Sequence, residues 1–249
     1  MQAIHSLVAL ALPWRNEIVS LASVPFFFGG LVLFFRLLGK TGLYAWTVLC
    51  TVAANIEVLM LVHAFGLDTT LGNVIFASTF LATDILSELC GKRDANRCVL
   101  VGIVANLAFI AISQTWFLYS PAPDDWATPS VRTLFAATPR VMLASLVAYA
   151  VCEIHDVWAY HAIWRRTASR TGDRRAFLWL RNNGSTLVSQ LINVLLFNLL
   201  AFAGVYPPAI LFQIILAGYA IFVATSILDT PFVYLARRIA DRHPALLLR

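Results

Sequence analysis

Between Arg181 and Asn198 an otherwise apolar stretch carries a stripe of carboxamides and hydroxyls. Read as a helix, Asn182, Thr186, Gln190 and Asn193 recur at i, i+4, i+8 and i+11 and share one face. Asn183, Ser185 and Ser189 sit beside them, and Leu187, Leu191, Val194 and Leu195 take the other side. A carboxamide in hydrocarbon has no water to bind, so it needs protein, ligand or cavity water. Bonds of this kind between helices are worth only about 0.6–2 kcal/mol each. Helix glue accounts for any one of these groups. Four on a single stripe predict a polar-lined cavity.

Acids recur in the same kind of apolar surroundings. Asn55 and Glu57 lie in one segment, Asp84 and Glu88 in the next at i and i+4, Glu153 and Asp156 (with His155 and His161) in another, and Asp229 just before Pro231. Ionisable groups at membrane depth are costly and are candidates for function. Each also has a plainer reading. Asp84 and Glu88 could pair with Lys92, Arg93 or Arg181, and Asp229 could bind backbone freed by the proline. Glu57 and Glu153 fall closest to mid-membrane and must be neutralised, paired or wet. Arg36 and Arg181 are expected to snorkel from the ends of their segments. No Ser/His/Asp spacing, H-E-x-x-H or glycine-rich phosphate loop stands out, so no enzyme is expected. Neighbours His155 and Asp156 would point about 100° apart on a helix, which disfavours a dyad. Cys50, Cys90, Cys98 and Cys152 form no C-x-x-C pair and read as small apolar fillers, so neither metal nor cofactor is expected.

The elements that must position these groups are membrane helices. Of 249 residues 60% are hydrophobic and 12% charged, against roughly 25% charged in soluble domains. Seven spans are predicted, at 18–38, 43–65, 71–90, 98–119, 139–164, 183–204 and 210–236, each near the ~20 residues that cross a bilayer. They fill the chain as one domain, 1–249, an all-α polytopic bundle. Residues 1–12 lack the marks of a signal peptide and read as an interfacial lead-in. Taken in alternating compartments, the connections hold 15 and 3 of the 18 Lys and Arg. The positive-inside rule then puts the N-terminus outside and the C-terminus in the cytoplasm of a cell membrane. Topology therefore explains the net charge of +5, and nucleic acid is not an expected partner; membrane lipid is. The outer loop 120–138 opens with prolines and aspartates, and a short amphipathic helix with Val131, Leu134 and Phe135 on one side is expected from about Ser130. A short echo, Ala77-Ser-Thr-Phe-Leu-Ala-Thr-Asp against Gly184-Ser-Thr-Leu-Val-Ser-Gln-Leu, fits a 3+3 inverted repeat with the third and sixth spans as its middle helices.

Six stretches together resemble the queuosine precursor transporters: Gly39-Lys-Thr-Gly-Leu-Tyr-Ala-Trp, Ala54-Asn-Ile-Glu-Val-Leu, Thr79-Phe-Leu-Ala-Thr-Asp-Ile-Leu-Ser-Glu-Leu-Cys-Gly-Lys, His155-Asp-Val-Trp-Ala-Tyr-His, Trp179-Leu-Arg-Asn-Asn-Gly-Ser-Thr-Leu-Val-Ser-Gln-Leu-Ile-Asn and Leu228-Asp-Thr-Pro-Phe-Val-Tyr. The resemblance covers about residues 40–236 and implies six core helices, with the first span an extra leading helix. It departs at Cys90, where the family usually has an aromatic residue, and at Asn193, where it usually has Asp. The second departure bears on any proton coupling through that position.

The resemblance implies uptake of a 7-deazaguanine base: preQ0, preQ1 or queuine. Such a base offers amino and ring N–H donors and a carbonyl acceptor, which carboxylates and carboxamides can match. Its flat ring needs an apolar or aromatic slot, for which Trp158, Tyr160 and Phe80 are candidates. The candidate binding residues are therefore Asn55, Glu57, Asp84, Glu88, Glu153, Asp156, Asn182, Asn183, Gln190, Asn193 and Asp229. A binding subunit that needs an energising partner and a membrane enzyme are the competing readings. The preferred base, the coupling ion and the oligomeric state stay open.

Overall fold

A computed structural model describes residues 14–135 and 139–248; the predicted lead-in 1–12 lies outside them. The described residues form eight α-helices and one hairpin. The helices are α1 (Arg15–Leu38), α2 (Lys40–Glu57), α3 (Asn73–Leu89), α4 (Lys92–Thr115), α5 (Thr128–Phe135), α6 (Pro139–Thr171), α7 (Leu178–Phe202) and α8 (Pro208–Arg242). Strands β1 (Leu61–Ala64) and β2 (Leu67–Thr70) pair antiparallel between α2 and α3. The chain is a polytopic helix bundle, as its composition requires.

Among the described residues five helices are long and apolar enough to cross a bilayer: α1, α4 with its following turn, α6, α7 and α8. The predicted second and third spans are the exceptions, and packing explains them. At 17 residues α3 is about 25 Å long. It is buried without a break from Ala77 to Ser87. The helices α1, α2, α4, α6 and α8 surround it. A helix screened by protein on every side needs neither a lipid-facing surface nor a uniformly apolar sequence, so it can carry Thr79, Thr83 and Asp84.

The second span was expected to continue to residue 65, and it does not. The helix ends at Glu57, and the chain turns through Phe65 and Gly66, both at positive φ. That is the backbone a two-residue hairpin loop demands, and a glycine supplies half of it without strain. Cross-strand His63 and Asp68 pair at 2.9 Å, and α1 grips the hairpin through Glu17, which accepts from the Phe65 amide. The bundle is thus helical apart from this hairpin. Glu57 accordingly sits at a helix end beside the hairpin, not at mid-membrane.

In the loop 120–127 the amides of Ala127 and Thr128 and the Thr128 hydroxyl donate to Asp125, which holds its carboxyl below the usual carboxylate range. These bonds start α5 at Thr128, slightly before the expected Ser130. Phe135 is buried against Phe109 and Trp116, as the amphipathic pattern requires, while Leu134 is largely exposed. At the other pole α6 runs on past the predicted boundary to Thr171, and α7 begins early, at Leu178. The intervening turn folds them into the most extensively packed helix pair.

Candidate functional site

Three helices, α3, α6 and α7, bring four of the predicted acids and much of the carboxamide stripe into one buried band, completed by α8. Asp84, Glu153, Asp156 and Asp229 are at most 1% exposed. Asn182, Ser185, Thr186, Ser189 and Gln190 are equally buried. The i, i+4 logic of the stripe therefore held, since all of these α7 residues point inward.

The contacts are specific. Thr79 and Thr83 donate to the two oxygens of Glu153 at 2.8 and 3.0 Å, tying α3 to α6. Thr186 donates to Asp84 at 3.1 Å across the space between α7 and α3. Asn182 donates to Asp229 at 2.7 Å, tying α7 to α8. Asp156 faces Asp84, Ser185, Thr186 and Ser189. His155 meets Ser189 at 2.9 Å. Among the described residues no Lys or Arg forms an ion pair with Asp84, Glu153, Asp156 or Asp229. Asp84 lies within electrostatic reach of the other three acids.

The hydrogen-bond account does not close here. Asp84 Oδ1, both Asp156 oxygens, Asn182 Oδ1 and Gln190 Oε1 are buried without a partner of good geometry. Buried polar atoms are nearly always satisfied, so each exception calls for a cause. All five are oxygens, and they lie where α3, α6 and α7 meet, α3 and α7 facing each other through side chains without close backbone packing. The arrangement suits a ligand rich in N–H groups.

Glu88 has a different fate from its i−4 neighbour. Arg181 holds it in a fork, Nη2 to Oε1 at 2.8 Å and Nε to Oε2 at 2.9 Å. Tyr160 donates to Oε2 at 2.8 Å, and Arg237 approaches at 3.4 Å. The Arg181 side chain is fully buried, stacks 4.6 Å from the Trp164 ring and donates to the Ala176 carbonyl. The expectation that Arg181 snorkels is therefore wrong. A guanidinium with a bidentate carboxylate, a carbonyl and an aromatic face needs no water.

Other predicted residues are placed apart. Asn55 donates to Asn106 at 2.5 Å and to the Thr51 carbonyl, joining α2 to α4. Asn183 donates to Thr230 at 2.7 Å and to Trp179, joining α7 to α8. Asn193 lines a small cavity of about 40 Å³ with Phe76, Ser145 and Phe222. Glu57 lines a largely apolar cavity of about 300 Å³ between α1, the hairpin and α8. Of the candidate ring slots, Phe80 is buried, Tyr160 is committed to Glu88, and Trp158 points outward at 55% exposure. The sequence reading did not single out Thr79 or the Tyr160 hydroxyl as ligands for the acids. Threonine at i and i+4 on an acid-bearing helix was the available signal.

The family profile described as "Putative vitamin uptake transporter" matches residues 70–236, from the end of the hairpin through most of α8. The chain belongs to this uptake-transporter family. It is 39% identical over 207 residues to a Bacillus subtilis (strain 168) protein named "Probable queuosine precursor transporter", covering 83% of this chain and 88% of that one. It is 29% identical over 155 residues to the "Queuosine precursor transporter" of Escherichia coli (strain K12), covering 62% and 65%. No solved structure matches. The uptake-transporter match contains the whole buried band and the Glu88–Arg181 pair, and it leaves out Asn55, Glu57 and α1.

Proposed function

We propose that this chain is a carrier that imports queuosine precursors, the 7-deazaguanine bases preQ0, preQ1 or queuine, into the cytoplasm for tRNA modification. The observation that carries the reading is the cluster of unpartnered oxygens where α3, α6 and α7 meet. The amino and ring N–H edge of such a base is a row of donors. A carboxylate holding two of them forms a charge-assisted bidentate pair. We assign that role to Asp84 or Asp156, with Gln190 and Asn182 taking further donors. A site built so rejects analogues lacking the donors, because its own polar atoms then stay unpaired. Asn193 with its small cavity lies on the outer approach, and Glu88–Arg181 on the inner one. In this orientation the basic pole and the C-terminus face the cytoplasm and the N-terminus lies outside. The chain does no chemistry on its cargo.

Labelled preQ0, preQ1 and queuine supplied to cells unable to make them test the reading. Uptake is expected with the wild-type chain, and Asp84→Asn or Gln190→Leu is expected to lower it about tenfold or more, the scale of one lost buried polar contact, with unchanged amounts of protein in the membrane. Full uptake in both variants would remove the band from the route. Purified chain in vesicles separates a carrier from a subunit, since a subunit would take up nothing alone. Recovery of unmodified base argues against an enzyme.

A further inference from the structure

A second site lies outside the buried band, at the basic pole. The helices α1 and α8 present the same spacing there: Gly29, Val32, Leu33 and Arg36 on one, and Leu235, Arg238, Ile239 and Arg242 on the other. Both sets are i, i+3, i+4, i+7, so each puts one stripe of its helix into a shared groove of about 460 Å³. The two halves of the groove differ in chemistry. Its floor is aliphatic. Its rim holds three guanidinium groups, and no acid lines it.

The arginines are uncommitted. Arg36, Arg238 and Arg242 are exposed, and among the described residues none makes an ion pair or hydrogen bond. The neighbouring Asp241 is taken by Arg175 at 2.6 Å, and Arg237 turns inward to Glu88. Ordinary snorkelling would only spread such residues around the pole. Here three converge on one cleft from two helices. Gly29 keeps the floor open, since a Cβ built there would meet nothing within 4 Å.

We propose that this groove binds an anionic glycerophospholipid of the same leaflet, its phosphate held between Arg36 and the Arg238–Arg242 pair and one acyl chain lying on Gly29, Val32 and Leu235. Charge complementarity selects the headgroup, and the aliphatic floor selects a lipid over a soluble phosphate. The bound lipid would fasten α1, which lies outside the family match, to the transport core. The placement of the groove in the cytoplasmic leaflet rests on the orientation proposed above; the binding itself does not.

Native mass spectrometry of the detergent-purified full chain, titrated with phosphatidylglycerol or phosphatidylcholine, tests this. The wild type is expected to retain one phosphatidylglycerol in preference to phosphatidylcholine. Replacing Arg36, Arg238 and Arg242 by Gln is expected to weaken retention about tenfold or more. A control in which Arg165, Arg166 and Arg170 become Gln removes the same charge and is expected to change nothing. Gly29→Leu fills the floor and leaves every charge, and it is expected to weaken retention as well. Equal loss in the control triple would mean diffuse attraction and overturn the site. So would full retention in Gly29→Leu, equal binding of both lipids, or displacement by millimolar inorganic phosphate, which would show a phosphate site with no lipid component. Because transport is not the readout, a wrong cargo assignment would leave this result intact.

Discussion

Asp84 and Glu88 are one turn apart on the same face of α3, and the structure gives them opposite environments. Glu88 lies in a closed ion pair, while Asp84 keeps an unpartnered oxygen in a band without cations. Their difference comes from Arg181, 93 positions further along the chain than Glu88. Breaking a buried pair leaves the surviving charge stranded, which costs more than the pair itself contributes. Glu88→Gln is therefore expected to destabilise the protein by about 3 kcal/mol, read as a lowered thermal midpoint in detergent. The double variant Glu88→Gln/Arg181→Met is expected to recover most of that loss. Asp84→Asn is expected to leave the midpoint nearly unchanged. A Glu88→Gln protein as stable as wild type would show that the pair is not structural. The sequence offered the two acids as equals, with an ion pair to Arg181 as one of their readings. It had no means of saying which acid would take that pair, because the partner is brought in from α7 by the tertiary fold.

At the level of elements, the helices were legible, short protected α3 included, whose predicted 71–90 is the observed Asn73–Leu89, and the end of α2 was not. Hydropathy located α1, α4, α6, α7 and α8 because each exposes a broad face to lipid. It read α2 and the hairpin as a single span, since Val62, Ala64 and Phe65 are as apolar as helix residues. Only Phe65-Gly66-Leu67-Asp68 hinted at a turn. Packing between helices was equally hidden. Gly102 on α4 is such a case: a Cβ there would collide with the Tyr149 hydroxyl of α6. Small residues let membrane helices approach closely. Gly102→Ala forces the pair apart and is expected to destabilise the protein by about 1–3 kcal/mol, typical of an overpacked core. Adding Tyr149→Phe removes the worst contact, so it should return part of that stability. Thermal unfolding of the two variants checks the pairing. If Gly102→Ala alone is neutral, α4 and α6 have room that the structure denies.

Over the whole molecule, charge and packing mark two poles. At one, Lys40 meets Asp94, Arg175 meets Asp241, and Arg181 and Arg237 meet Glu88. At the other are the hairpin, α5 and few cations, and one of these is already committed. Arg140 donates at 2.7 Å to the carbonyls of Leu200 and Ala203 at the end of α7. Its charge complements the negative end of that helix, so as a topology signal this pole is weaker still than its few cations suggest. Polybasic connections resist translocation, and the turn 172–177 between α6 and α7 lies in the most basic of them. A cysteine replacing partly exposed Asp125 is thus expected to react with an impermeant maleimide on intact cells. One replacing exposed Arg170 should react only after the membrane is opened. Of the native cysteines, Cys50, Cys98 and Cys152 are buried and Cys90 is partly exposed, so Cys90→Ala gives a clean background. Labelling of the Arg170 position in intact cells would invert the bundle. The Glu88–Arg181 pair would then close the outer end of the band, and the small cavity at Asn193 would become the inner approach.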